Sequence, residues 1–506
     1  MSKALELRPR RNENSGNSGK ISGMDQDEVH PEDSRVELVA STGDITLQND
    51  IRSSLSPSPS PPLFNERNDG LRGYFETAHW TADGTTILTS SSSNLISGYI
   101  VPEDLLSPSA KHPLPLTPQA SIQLPEPSAV LSSAPYFHLS SPWTQQLLVS
   151  ARDHPIQLLY LSPSASSHTP ASAAYPLTKQ RSETFLTATS LVWPNPGTHF
   201  IAGTRSLLAK YDLSRPNSEP VLRVKTIPSE RHLSKGNGIG MRGAISSLAA
   251  QPPDASNASL VAAGTWTRWV GLYDFAGADG SCAATWSVGR AADSSDGEDG
   301  ASIGGDGVMQ TLWSPCGRYL LVSERKAAGI LVYDVRVTGK LLGWLAGREA
   351  RSNQRMTADA FPGGGGRAGF EVWAGTTGGA VKVWEGVGGR EGAHEPAWGW
   401  EAARRSTVGS ACVHLSGAVV ATCSGAWEFP DDDDDDDDDD KEEEDGSLSR
   451  SGRSSADSGS DVSGAEAPWM RRRNKESCLK IWSISNNEQD EEDEESQRRE
   501  QDEVEQ

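Results

Sequence analysis

No run of about 18 apolar residues occurs in the 506-residue chain, so no segment is suited to cross a bilayer as a helix. Met1 to Arg11 lack the apolar stretch of a secretion signal, which leads us to expect a cytoplasmic or nuclear protein. Cysteine is scarce. Cys282, Cys316, Cys412, Cys423 and Cys478 are an odd, scattered set without a C-x-x-C pair, which argues against a disulfide framework and a zinc site. Catalytic signatures are missing as well: the chain has no H-E-x-x-H, no G-x-S-x-G and no Walker loop. Gly238 to Gly243 spells G-x-G-x-x-G, but strand-like residues (Ala244 to Ala249) follow it, and a dinucleotide site needs a helix N-terminus there. No enzyme, cofactor or metal is therefore expected. Hydrophobic residues reach only 35%, below the ~45–50% usual for a folded chain, which suggests a folded body diluted by unstructured segments.

What is abundant is acid, and it is concentrated. The net charge is −23, yet 431–445 alone holds 14 acids and one lysine, and 488–506 holds 11 acids and two arginines. Outside these tracts 44 acids face 43 bases, so the acidity is a property of two solvated segments and not of a fold surface. Residues 1–66 read as an unstructured Ser/Pro-rich segment, because Ser56 to Pro62 can hold neither a helix nor a strand ladder. From Tyr74 onward short β-branched runs alternate with Pro, Asp and Gly, and helical periodicity is hard to find.

The strands repeat. Met309 to Trp313, a turn at Ser314 to Gly317, Tyr319 to Val322, then Gly329 to Asp334 is the clearest unit, and Phe75 to Val101 and Ser190 to Asp212 follow it. Seven units close on Tyr99, Tyr160, Tyr211, Tyr273, Tyr333, Trp384 and Trp482, spaced 51 to 62 residues apart with a final interval of 98. Four-stranded units arranged radially bury both faces of each sheet and leave only short edges. The expected fold is all-β, a seven-bladed β-propeller over 70–484; a two-sheet β arrangement is the alternative. The long last interval is a disordered acidic insert at 428–476, and a disordered acidic tail occupies 485–506.

The residues that build these units also carry a family likeness. Phe75 to Ser90 with Tyr99 to Leu105, Pro155-Ile156, Gly243 to Ser246 with Gly271 to Tyr273, Arg325-Lys326 with Tyr333 to Arg336, Gly378 to Trp384 and Ala421 to Gly425 resemble successive blades of the telomerase Cajal-body WD40 family. Arg348-Glu-Ala-Arg351-Ser-Asn353-Gln354-Arg355 is the most distinctive match, resembling the family's Arg…Thr-Asn-Gln-Arg segment. Two positions depart from the pattern: His414-Leu415 stands for a His-Pro, and Ala426-Trp427 for a Gln-Arg.

The resemblance implies a non-enzymatic scaffold in nuclear small-RNA biology, of the kind that serves spliceosomal or Cajal-body-like ribonucleoprotein assembly and mRNA splicing. Its partners would be small nuclear or Cajal-body-type RNA, telomerase RNA included, and ribonucleoprotein proteins, without a membrane. A protein-only adaptor of the chromatin or ubiquitin-ligase type is the rival, with the acidic insert engaging basic partners. Chemistry alone supports the arginine segment as a contact region, since arginine forks bind phosphate and stack on bases while Asn and Gln read base edges. The same residues could instead clamp an inter-blade loop. Candidate binding residues are Arg348, Arg351, Asn353, Gln354 and Arg355, with Arg205, Arg325 and Lys326 carried over from the resemblance. Arg471, Arg472, Arg473 and Lys475 form a candidate nuclear-import run, or a solvated charge run. The nucleus is the expected compartment, with the cytoplasm also open to it.

Overall fold

A computed structural model describes residues 35–46, 73–161, 171–179, 182, 184–227, 241–253, 260–277, 279–295, 302–363, 369–428 and 473–485. The expectations for 1–34, for 47–66, for most of the acidic insert and for 486–506 lie outside these residues. The described residues from Val36 onward form a seven-bladed β-propeller. Each blade is an antiparallel meander whose strands we letter a to d from the inside out. Blade 1 holds Phe75–Trp80, Thr86–Ser91, Leu95–Ile100 and Ala120–Gln123. Blades 2 to 6 begin at Ser128, Ser190, Ile245, Val308 and Ala358.

Strand b explains the composition of the repeats. Val419–Ser424 and Thr86–Ser91 are buried along their whole length, because neighbouring blades cover both faces of the sheet at that radius. Such strands read as continuous runs of small and apolar residues rather than as an alternation. The contact between blades is tight enough to need glycine: a Cβ on Gly264 would collide with Val308 of the next blade, and one on Gly375 with the carbonyl oxygen of Val408. Outer strands are looser, and Trp398–Glu401 alternates half-buried with exposed residues. All seven closing aromatics fall on strand c.

Blade 7 takes its inner strands from Val408–Val413, Val419–Ser424 and Leu479–Ile484. Its fourth strand is Val36–Ser41, antiparallel to Leu479–Ile484 with Leu38 opposite Trp482. This corrects the reading of residues 1–66 as wholly unstructured. A single apolar run with no turn and no nearby partner gives no local strand signal, since its pairing partner lies more than 400 residues away. Val39 and Ala40 are buried against Leu479, Ile481 and Val419, so the N-terminal strand closes the ring. Two loops then cover outer edges with short parallel strands, Leu114–Pro115 on Val36–Ser41 and Gly392–His394 on Leu341–Leu345. A covered edge offers no free ladder for unwanted pairing.

Candidate nucleic-acid interface

In an up-and-down blade the b–c turns and the d–a connections leave on one face, and the a–b and c–d loops on the other. Arg205 lies in the b–c turn of blade 3, Arg325 and Lys326 in that of blade 5, and Arg348 to Arg355 in the connection from blade 5 to blade 6. All the predicted contact residues therefore belong to loops of one face. The acidic insert leaves the b–c connection of blade 7, where Trp427–Glu428 pairs with Arg473–Asn474, so its anchors are on that face too.

Hydrogen bonds tie the arginine segment to its neighbours. Lys326 N–H donates to Ser352 O at 3.1 Å, and Thr377 N–H to Glu349 O at 3.0 Å. The Gln354 amide donates to Gly425 O at 2.7 Å, and the Arg355 guanidinium to Ser246 O at 3.1 Å. One segment thus touches blades 4, 5, 6 and 7.

The individual side chains then separate into different roles. Arg348 is fully buried, donating to Ser323 Oγ and, at 3.0 Å, to Met356 O, while its Nε has no partner among the described residues. Burial pulls its pKa down to about 10. Arg348 is a clamp inside the loop and offers nothing to a ligand, contrary to the expectation from sequence. Lys326 is exposed and pairs with Asp306 at 3.0 Å, whose carboxyl that hydrogen bond holds below its usual range. Arg325 donates to Asp306 O at 3.1 Å and lies 5.0 Å over the Trp266 ring. Arg205, Arg351 and Asn353 are exposed, and among the described residues their side chains make no hydrogen bond or ion pair. Of the basic run after the insert, Arg471 and Arg472 lie outside the described residues, Arg473 is in the short strand and Lys475 N–H bonds Ala426 O at 3.1 Å.

The face surrounds the central channel, a cavity of about 840 Å³ lined by the inner strands and, at its mouth, by Trp266, Arg325, Asn353, Gln354 and Arg355. Glu76 and Arg355 are opposed charges in its lining: burial raises the Glu76 carboxyl, the Arg355 charge working against that, and burial lowers the pKa of Arg355. Burial also drops His79 to about 4 and lifts Asp359 to about 6, against hydrogen bonds from Val413 and Ala360 N–H. Among the described residues no three His, Cys, Asp or Glu side chains converge as a metal site would require, and no helix is long and apolar enough to cross a membrane.

Asp359 makes a test of this burial. Its folded pKa is raised, so the stability it gives is full below the unfolded value of about 4 and is lost as pH rises through about 6. Asp359→Asn should remove that loss, and urea unfolding of the variant should decline less between pH 4 and pH 6.5 than that of the wild type. An unchanged slope would show that water reaches the carboxylate freely.

Sequence reasoning missed three residues of this face. Trp266, 53% exposed in the b–c turn of blade 4, looks in sequence like one more closing aromatic of a strand. Arg404 and Arg405, exposed in the connection from blade 6 to blade 7, also lack side-chain partners among the described residues; the Arg-Arg dipeptide itself is the available signal. Arg268, by contrast, is held by Glu324 at 2.7 Å and Asp293 at 2.8 Å and belongs to the scaffold.

No family model matches the chain. Similar proteins do exist. The chain is 27% identical over 364 residues to Telomerase Cajal body protein 1 of Bos taurus, covering 71% of this chain and 59% of that protein. It is also 26% identical over 344 residues to the Guanine nucleotide-binding protein negative regulator 1 of Schizosaccharomyces pombe, with 68% and 75% covered. Protein SWT21 of Vanderwaltozyma polyspora is 24% identical over 274 residues, with 53% and 58% covered. The chain is similar to Telomerase Cajal body protein 1 of both Bos taurus and Homo sapiens, at 26–27% identity over 364 residues. It spans three quarters of the fission-yeast protein but under two thirds of the bovine one.

Proposed function

We propose that this WD40-like relative is a non-enzymatic scaffold that binds small nuclear or Cajal-body-type RNA through the b–c and d–a face, in nuclear ribonucleoprotein assembly. One observation carries the reading: Arg205, Arg351, Arg404 and Arg405 stand exposed on one face, without side-chain partners among the described residues, around a channel mouth that also presents Asn353. Cations already paired with carboxylates gain little by meeting phosphate, whereas unpaired arginines keep their full donor set for it. The name of the bovine relative supports an RNA-linked, nuclear setting, and Arg473 with Lys475 belongs to the basic run suited to import.

The test is Arg351→Ala combined with Arg404→Ala and Arg405→Ala in the full chain. RNA affinity should fall, and the log–log salt slope should shrink by roughly 0.7 for each phosphate of a single strand that the variant no longer neutralises. Melting should stay within a degree or two, because among the described residues none of the three side chains has a protein partner to give up. Wild-type RNA affinity in the folded triple variant would overturn the reading. The rival is a protein-only adaptor, and the fission-yeast relative's name, which speaks of a guanine nucleotide-binding protein, favours it. That reading predicts no RNA binding by the wild type in the same assay.

A further inference from the structure

The channel mouth offers more than charge. Trp266 is 53% exposed, and the Arg325 guanidinium, fixed by Asp306 O, sits 5.0 Å over its ring. A tryptophan half in water at a turn gives up most of the burial that usually keeps this side chain in a protein. Here it is held in place from one side. Trp266 and Arg325 line the same cavity as Asn353, Gln354 and Arg355. Gln354 spends its amide N–H on Gly425 O, which fixes the side chain and leaves its carbonyl oxygen as an acceptor, while Asn353 keeps donors and acceptor open.

We propose that this mouth receives one unstacked nucleobase of the bound strand, laid against Trp266 and met at its edge by Asn353 and Gln354. The inference rests on the RNA-binding reading above and adds a base-recognition pocket to it. The charge excludes the other usual guest of an aromatic site: a quaternary ammonium needs an aromatic cage with no nearby cation, whereas here Arg325 and Arg355 line the mouth beside Trp266. A planar, uncharged base suits the arrangement, since stacking is available to every base and Asn and Gln read polar edges.

Two probes of equal charge separate base from phosphate: a fluorescent oligoadenylate decamer and an abasic ribose-phosphate decamer. The wild type should bind the oligoadenylate about tenfold or more tightly than the abasic chain, the range expected for one stacked base. Trp266→Ala and Trp266→Leu should bind both alike, Trp266→Phe should keep most of the preference, and the Arg351 triple variant should weaken both probes equally. The leucine variant keeps an apolar side chain at the turn, so a melting change in the alanine variant alone does not blunt the test. A preference that survives in Trp266→Leu would overturn the pocket and leave the RNA-binding face standing. Failure of the wild type to bind either decamer would overturn both.

Discussion

A chain that begins at residue 47 should lose ~10 °C or more of melting temperature, or fail to accumulate in soluble form, relative to a chain that begins at residue 35. The difference between the two is residues 35–46, which hold Val36–Ser41, the outermost full strand of blade 7, and Thr42 and Ile45, whose N–H groups bond Leu479 O and Ser477 O. Its removal strips the ladder from Leu479–Ile484 and takes away Val36, Val39 and Ala40, all buried. Two valines at roughly 1.5–3 kcal/mol each, with the ladder bonds added, come to on the order of 5 kcal/mol. That is a large part of the 5–15 kcal/mol that holds a typical domain together. The loss also exposes a strand edge to pairing with other chains. Val39→Asp tests the same point without truncation, by placing a carboxylate where only 2% of the residue is exposed. Wild-type melting by both variants would show that the ring closes without this strand.

The seven units are legible because each ends in a bulky aromatic on strand c, where the sheet is thick and a Tyr or Trp finds neighbours on both sides. Tyr211, Tyr273, Tyr333 and Trp384 are buried almost completely. Strand d is not legible, since it is short and half-solvated: Ala173–Tyr175 has three residues, and Leu222–Lys225 has no buried one. The closing strand is invisible for a stronger reason. Pairing across more than 400 residues leaves no trace in local periodicity, and a count of strands after Phe75 shows only that blade 7 is one short.

For the site, sequence shows which residue types are present but not which are buried. Arg348, Arg351 and Arg355 look alike in the chain, yet one is sealed in, one stands in solvent and one lines the channel. Spacing alone does not separate them, because the segment is a loop without a period. The one-face placement is recoverable from strand order once the blades are counted. Trp266 shows the converse, since tryptophan as a residue type favours burial while its place at a turn exposes it.

Arg348→Ala is expected to cost about 3 kcal/mol or more, although sequence alone makes Arg348 a candidate for touching RNA. Its guanidinium satisfies Met356 O and Ser323 Oγ, and its backbone N–H bonds Ala328 O at 3.0 Å, so it joins strand b and the b–c turn of blade 5 to the end of the connection that leads into blade 6. Alanine leaves a buried carbonyl unpaired, at ~1–3 kcal/mol, and a side-chain-sized void in a fully buried place. Arg348→Met should do less harm. Methionine fills most of the space and removes a buried charge that no carboxylate balances among the described residues, a charge whose cost is evident in the pKa of about 10. Arg348→Lys keeps the charge but loses the fork that reaches two acceptors, and should be worse than methionine. The order Met, Lys, Ala from least to most destabilised, with an unchanged salt slope for RNA wherever the variant is still folded, marks a structural clamp. Arg351→Ala should show the reverse, normal melting with a smaller salt slope. An Arg348→Ala chain that melts like the wild type while losing RNA would return this residue to the binding surface and remove the physical basis for separating the two arginines.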